Sequence, residues 1–112
     1  MLPKRKLVLA LDFDGVIHDY RNPVEGRKMG PPMPGAKEAL QRLEDLGHSV
    51  IIHTCKPPKV VAAWMDYFGI PYEQIWDLPG KPQADAYIDD LAIRFSDWGQ
   101  VMRDLENLHG IR

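Results

Sequence analysis

The stretch LVLALDFDGVIHD, residues 7 to 19, runs from an unbroken apolar segment straight into two aspartates, Asp12 and Asp14, with Gly15 directly behind them. Leu7 to Leu11 has the length and composition of a buried strand, and the strand as a whole is expected over about residues 7 to 13. A strand buried on both faces should not end in two carboxylates unless their charge is used, because an unpaired buried charge is costly. One Asp-Gly is a common way to begin a turn. Two acids flanking Phe13 point instead to a metal ion or to catalysis.

Outward from this stretch, short apolar runs alternate with helical periods. His18 to Pro34 contains Pro23, Gly26, Gly30, Pro31 and Pro32 and reads as a loop, ordered or mobile. Within it His18 is expected to be an exposed polar residue, with contact to a substrate as the alternative. Ala36, Ala39, Leu40, Leu43 and Leu46 recur at helical spacing, with Gly47 as the stop. Ser49 to Ile52 forms a second strand that ends at Thr54. Pro57 and Pro58 start a second helix, with Val61, Trp64, Met65 and Phe68 on its apolar face and Gly69 as its end. Tyr72 to Trp76 is a weaker third strand, Ala86 to Asp89 a fourth, and Ala92 to Phe95 a short fifth. The last helix spans about Asp97 to His109, with Trp98, Val101, Met102, Leu105 and Leu108 on one face. The Trp and Met residues at this spacing are expected in the core. Strands alternating with helices predict a single α/β domain over residues 1–112, a three-layer Rossmann-like parallel sheet flanked by helices.

The 112 residues leave no room for a second core. With Lys plus Arg at 14 and Asp plus Glu at 16, the net charge of −2 gives no excess of the kind that binds polyanions. Lys4, Arg5 and Lys6 are a short basic run, expected to be solvated. The single cysteine, Cys55, excludes an internal disulfide and a multi-cysteine zinc cluster, which suits a reducing cytoplasm. No apolar segment approaches the length of a membrane span, and no signal-peptide pattern is present, so a cytoplasmic, non-membrane protein is expected. An oligomer is left open.

In parallel sheets, ligands bind beyond the carboxyl ends of the strands where strand order reverses. Asp12, Thr54 and Asp89 each fall at such an end. Asp12 with Asp14, then Thr54, then Lys81, then Asp89 with Asp90, in this order, resemble the four motifs of the haloacid dehalogenase (HAD) superfamily, most specifically in LDFDGVI and GKPQADAYIDD. The likeness runs from Leu7 to about Phe95. It implies a HAD-like fold and a Mg²⁺-dependent phosphatase that cleaves a phosphate monoester through an aspartyl-phosphate.

The chemistry of the residues agrees with that implication. A carboxylate can attack phosphorus and divide ester hydrolysis into two steps, the role assigned to Asp12. Asp14, two residues on, would give the leaving alkoxide a proton and later take one from water; neighbouring carboxylates are expected to raise its pKa for this. Mg²⁺ would relieve the repulsion among the acids and the phosphate, held by the Asp12 carboxylate, the Asp14 carbonyl and Asp89, with Asp90 in the outer shell. Lys81, the Thr54 hydroxyl and the Cys55 N–H would meet the phosphoryl oxygens.

Departures from the family pattern are informative. About twenty residues separate Asp14 from Gly35, and Asp77 to Lys81 holds no insertion, so the chain resembles a capless member with an open site. Zinc-bearing capless phosphatases are disfavoured by the missing cysteines, and dehalogenation by the presence of Asp14. His53 and Cys55 are too few for a soft-metal site, and no His partner identifies Cys55 as a nucleophile. Arg21, Arg27 and Lys28 are the basic candidates for gripping the remote part of a phosphorylated substrate, small or large; solvating the loop is the alternative. A nucleotide or nucleic-acid-end phosphatase, with nucleic acid as substrate only, and a non-catalytic binding module of the same fold are the rival readings.

Overall fold

The computed structural model of the chain describes residues 5–23, 26 and 28–111; Lys4 and Arg27 lie outside them. The described elements are β1 (Val8–Asp12), α1 (Ala36–Asp45), β2 (Ser49–His53), α2 (Pro58–Phe68), β3 (Gln74–Trp76), β4 (Ala86–Ile88) and α3 (Trp98–His109). The four strands form one parallel sheet in the order β3-β2-β1-β4. The chain therefore leaves β1 toward β2 and β3 on one side and returns to β4 on the other. The reversal point lies at the carboxyl ends of β1 and β4.

Strand register decides which face each side chain joins. Leu9 lies opposite Val50 and Leu11 opposite Ile52, so these four share one face of the pleat. Leu40 of α1 and Val61, Trp64 and Met65 of α2 close on that same face, and Phe13 and Ile17 fill the space past the end of β1. Each such side chain contributes roughly 1.5–3 kcal/mol by leaving water. Pro58 starts α2 where its missing N–H costs nothing, and Gly69 ends it. Ile70 then donates its N–H to the Met65 carbonyl at 3.0 Å and turns its side chain back into the core.

Three expectations are corrected. The third strand is Gln74–Trp76, shorter than residues 72–76, because Pro71 and a bend at Glu73 delay it. No strand forms over Ala92 to Phe95: the Asp89 carboxylate accepts the Leu91 N–H at 2.7 Å, and this turn carries the chain off the sheet edge. Most consequential is α3. Trp64 and Met65 are core residues, but Trp98 is 71% and Met102 48% exposed, and no residue of α3 is buried. α3 is a well-formed helix, capped by the Asp97 carboxylate accepting the Gln100 N–H at 2.9 Å, yet it makes no extensive contact with any strand. Helices α1 and α2 thus cover one face of the sheet and α3 leaves the other open.

Candidate active site at the switch point

Asp12 closes β1, opposite His53 at the end of β2, and its carboxylate faces a cleft of about 290 Å³. The cleft is also lined by Thr54, Cys55, Lys81 and Asp89. Residues from four separate stretches meet here because all four strands point the same way, so their carboxyl ends share one edge. Asp12, Asp89 and Asp90 can each bring a carboxylate oxygen within 4.8 Å of the others. The three oxygens are hard donors of the kind that suits a divalent cation such as Mg²⁺.

The electrostatics fall on Asp12. Burial, the largest cause, and repulsion from Asp89, Asp90 and Asp14 push its carboxyl above the ordinary value, against the pull of the hydrogen bond from the Phe13 N–H, 2.9 Å long. Sequence reasoning placed this like-charge pressure on Asp14. The Asp14 carboxylate meets donors: its Oδ1 is 2.7 Å from His18 Nδ1 and its Oδ2 3.5 Å from Lys56 Nζ.

His18 is the largest departure from expectation. Rather than an exposed loop residue, it is 2% exposed, stacked on Phe13 with ring centroids 5.1 Å apart and edge-on to Trp64 at 5.4 Å. Its Nε2 accepts the Gly30 N–H at 2.8 Å. An Nε2 that accepts carries no proton, so the neutral ring bears its proton on Nδ1 and donates it to Asp14. One imidazole thereby fixes a carboxylate at the site and ties down the far end of the loop. Gly30 is needed for this approach, since a Cβ there would lie 2.0 Å from the Asp19 carbonyl oxygen, and its own carbonyl accepts the Trp64 indole N–H at 3.0 Å. The only advance signal was spacing, a histidine four residues after Asp14.

Lys56 was also missed. It follows Thr54 and Cys55 in the turn after β2, where the Thr54 hydroxyl accepts the Lys56 N–H at 3.1 Å. Lys81 lies with its ammonium 4.3 Å from the centre of the Tyr87 ring, a cation–π contact that holds it at the cleft. Asp90 packs against Gly15: a Cβ at Gly15, whose φ is +83°, would come 2.1 Å from the Asp90 carboxylate. Only glycine tolerates both that backbone angle and that proximity.

The basic loop residues do not converge. Arg21 shares a second cleft with Gly15, Asp19 and Asp90, adjoining the acid cluster. Lys28 lies with Met29, Trp64 and Phe68 beside α2, in an apolar groove. No helix among the described residues is long and apolar enough to cross a membrane.

Neither a protein-family model nor a curated protein matches the chain. A solved structure of a conserved protein from Bacteroides thetaiotaomicron is similar to it over 92% of this chain and 92% of that one, with 24% sequence identity and a TM-score of 0.63. That likeness shows a shared α/β fold with a parallel sheet.

Proposed function

We propose that this chain is a capless HAD-type phosphohydrolase that cleaves a phosphate monoester through Asp12. The observation that carries the reading is the meeting of Asp12, Thr54, Lys81 and Asp89 in one cleft at the reversal point of the sheet. An Asp12 oxygen attacks phosphorus, and the ester P–O bond breaks as the alkoxide leaves. Asp14, steadied by His18 and Lys56, is the group assigned to give that alkoxide its proton and to take one from the water that attacks next. Water adds to phosphorus, the bond to Asp12 breaks, and inorganic phosphate departs. Lys81 and the Thr54 hydroxyl offer positive charge and a donor to the phosphoryl oxygens. Asp12 and Asp89, with Asp90 beside them and the Asp14 carbonyl, are the groups that would hold Mg²⁺, which would supply charge neutralisation to the phosphoryl group.

The fit of the residues to such a cation rests on Asp12 itself. Its carboxyl is pushed up first by burial and then by the neighbours that would share the ion, a repulsion that a divalent cation would reverse. The test is a Mg²⁺-dependent screen of phosphate esters, including nucleotides and terminally phosphorylated oligonucleotides, with Asp12→Asn as control. Hydrolysis by the native chain and none by the folded variant is the expected result. Equal turnover by both would remove Asp12 from the mechanism.

A further inference from the structure

A parallel sheet needs cover on both faces, because its strands are apolar on both. Here Ala10, Ile51 and Tyr87 share the face opposite α1 and α2, as their registers require, and Val8 follows Ala10 on it by alternation. On this face Tyr87 is 45% exposed while Ala10 is buried, so the uncovered part lies toward β4. Among the described residues the helix left to cover it, α3, presents Trp98, Met102 and Leu108 to solvent instead. Among the described residues, eight of the thirteen exposed large apolar side chains fall between Tyr87 and Ile111, so the exposure is concentrated in β4, the link after it, and α3.

The dimensions say how much surface awaits a partner. A compact monomer of 12.8 kDa should expose roughly 6,300 Å², and this chain exposes 8356 Å². Its radius of gyration is 16.1 Å where about 13 Å is expected for its length. Burying half of the excess, on the order of 1,000 Å² per copy, already gives the total of about 2,000 Å² at which permanent dimers begin.

We propose that the occupant is a second copy of this chain, in a two-fold dimer where the apolar side of each α3 lies on the uncovered sheet face of the other. Both surfaces belong to one sequence, so a single two-fold operation satisfies both, and the contact closes without leaving an edge for further growth. Ala10 and Tyr87 belong both to this face and to the cleft, so the partner's helix also walls the cleft's open flank. A lone chain that lacks an inserted cap would obtain part of its enclosure this way.

Sedimentation equilibrium of the full chain across the micromolar range tests this. The expected mass is twice 12.8 kDa. Met102→Glu, which places a charge in the contact, should weaken association by at least ~100-fold, as loss of a central apolar anchor does. Arg103→Glu, on the opposite side of α3, should leave it unchanged. A native chain that stays monomeric throughout overturns the proposal, whether α3 then folds onto its own sheet or stays apart. A dimer that Met102→Glu leaves intact overturns the role of α3. Should Met102→Glu fail to fold, hydrogen exchange on the native chain decides: amides of β4 and α3 should lose protection on dilution while those of α1 keep it, and protection of β4 and α3 that ignores dilution counts against the dimer.

Discussion

The site draws on two segments that the fold treats in opposite ways. The stretch from Asp12 to His18 stands on the core, with Phe13 and Ile17 fully buried and His18 locked between Asp14 and Gly30. The stretch from Tyr87 to Asp90 runs off the end of the edge strand β4 with every residue exposed. On the first segment the chain's own packing sets side-chain positions. On the second, Asp89 and Asp90 face Asp12 across the cleft with little packed beneath them. The contrast suits a site whose nucleophile must be rigid and whose cation and cover arrive from outside.

The largest expected effect breaks the first segment chemically while sparing its packing. Asp12→Asn should lower turnover of phosphate esters at least ~10³-fold, as loss of a nucleophile does. The same variant should melt no lower than the native chain without Mg²⁺, because it removes a charge that the neighbouring acids repel. A lower melting temperature for the metal-free variant would contradict the repulsion.

Next is a pair of truncations that measures the contrast directly. Phe13→Ala opens a cavity in the sealed core and should cost about 3–5 kcal/mol in denaturant unfolding. Ile88→Ala, on the half-exposed edge strand of the same sheet, should cost about 1 kcal/mol or less in dilute monomer. Equal losses would mean that the two segments are not differently supported.

A smaller effect isolates His18. His18→Phe keeps the stacking on Phe13 but leaves the Gly30 N–H unpaired and takes a donor from Asp14. It should destabilise by about 1–3 kcal/mol and lower kcat more than it raises KM. A KM effect alone would assign His18 to substrate binding through the loop.

The subtlest test is pH. An acid whose folded-state pKa is raised holds its proton longer when folded, so stability is unaffected well below the ordinary value of 3.8 and falls as pH rises through the raised value. Mg²⁺ should offset this loss, and the rise in melting temperature it gives should grow over the same pH window and shrink as acid protonates Asp12. In Asp12→Asn both slopes should flatten. A Mg²⁺ response independent of pH would place the cation elsewhere.

Much of this arrangement was legible in the sequence, and the reason is periodicity. β1, β2, α1 and α2 each carry an apolar pattern that their actual environment honours, and the acids at the end of β1 stand out because charge interrupts a buried run. What escaped was whatever depends on residues far apart. His18 looks polar and loop-borne until Gly30 and Trp64 fold over it. The apolar stripe of α3 is as regular as that of α2, and regularity says only that a face wants cover, not which surface supplies it. Arg21 and Lys28 sit seven residues apart in one loop, yet with Gly30 packed close against Asp19 they line two different clefts.

The bond from the Gly30 N–H to His18 has a consequence for how this chain could be remodelled. It joins the two feet of the loop, and Asp19 and Met33 reinforce it by donating their N–H groups to Pro31 and Ile17, each at 2.8 Å. The described contacts that fix Asp14 come from His18 and Lys56, at or below the clasp. Loop-closure entropy rises only slowly with length, about 0.6 kcal/mol per doubling. The clasp is thus a ready-made grafting point, where a whole lid domain can be spliced in to choose a substrate without retuning the chemistry beneath.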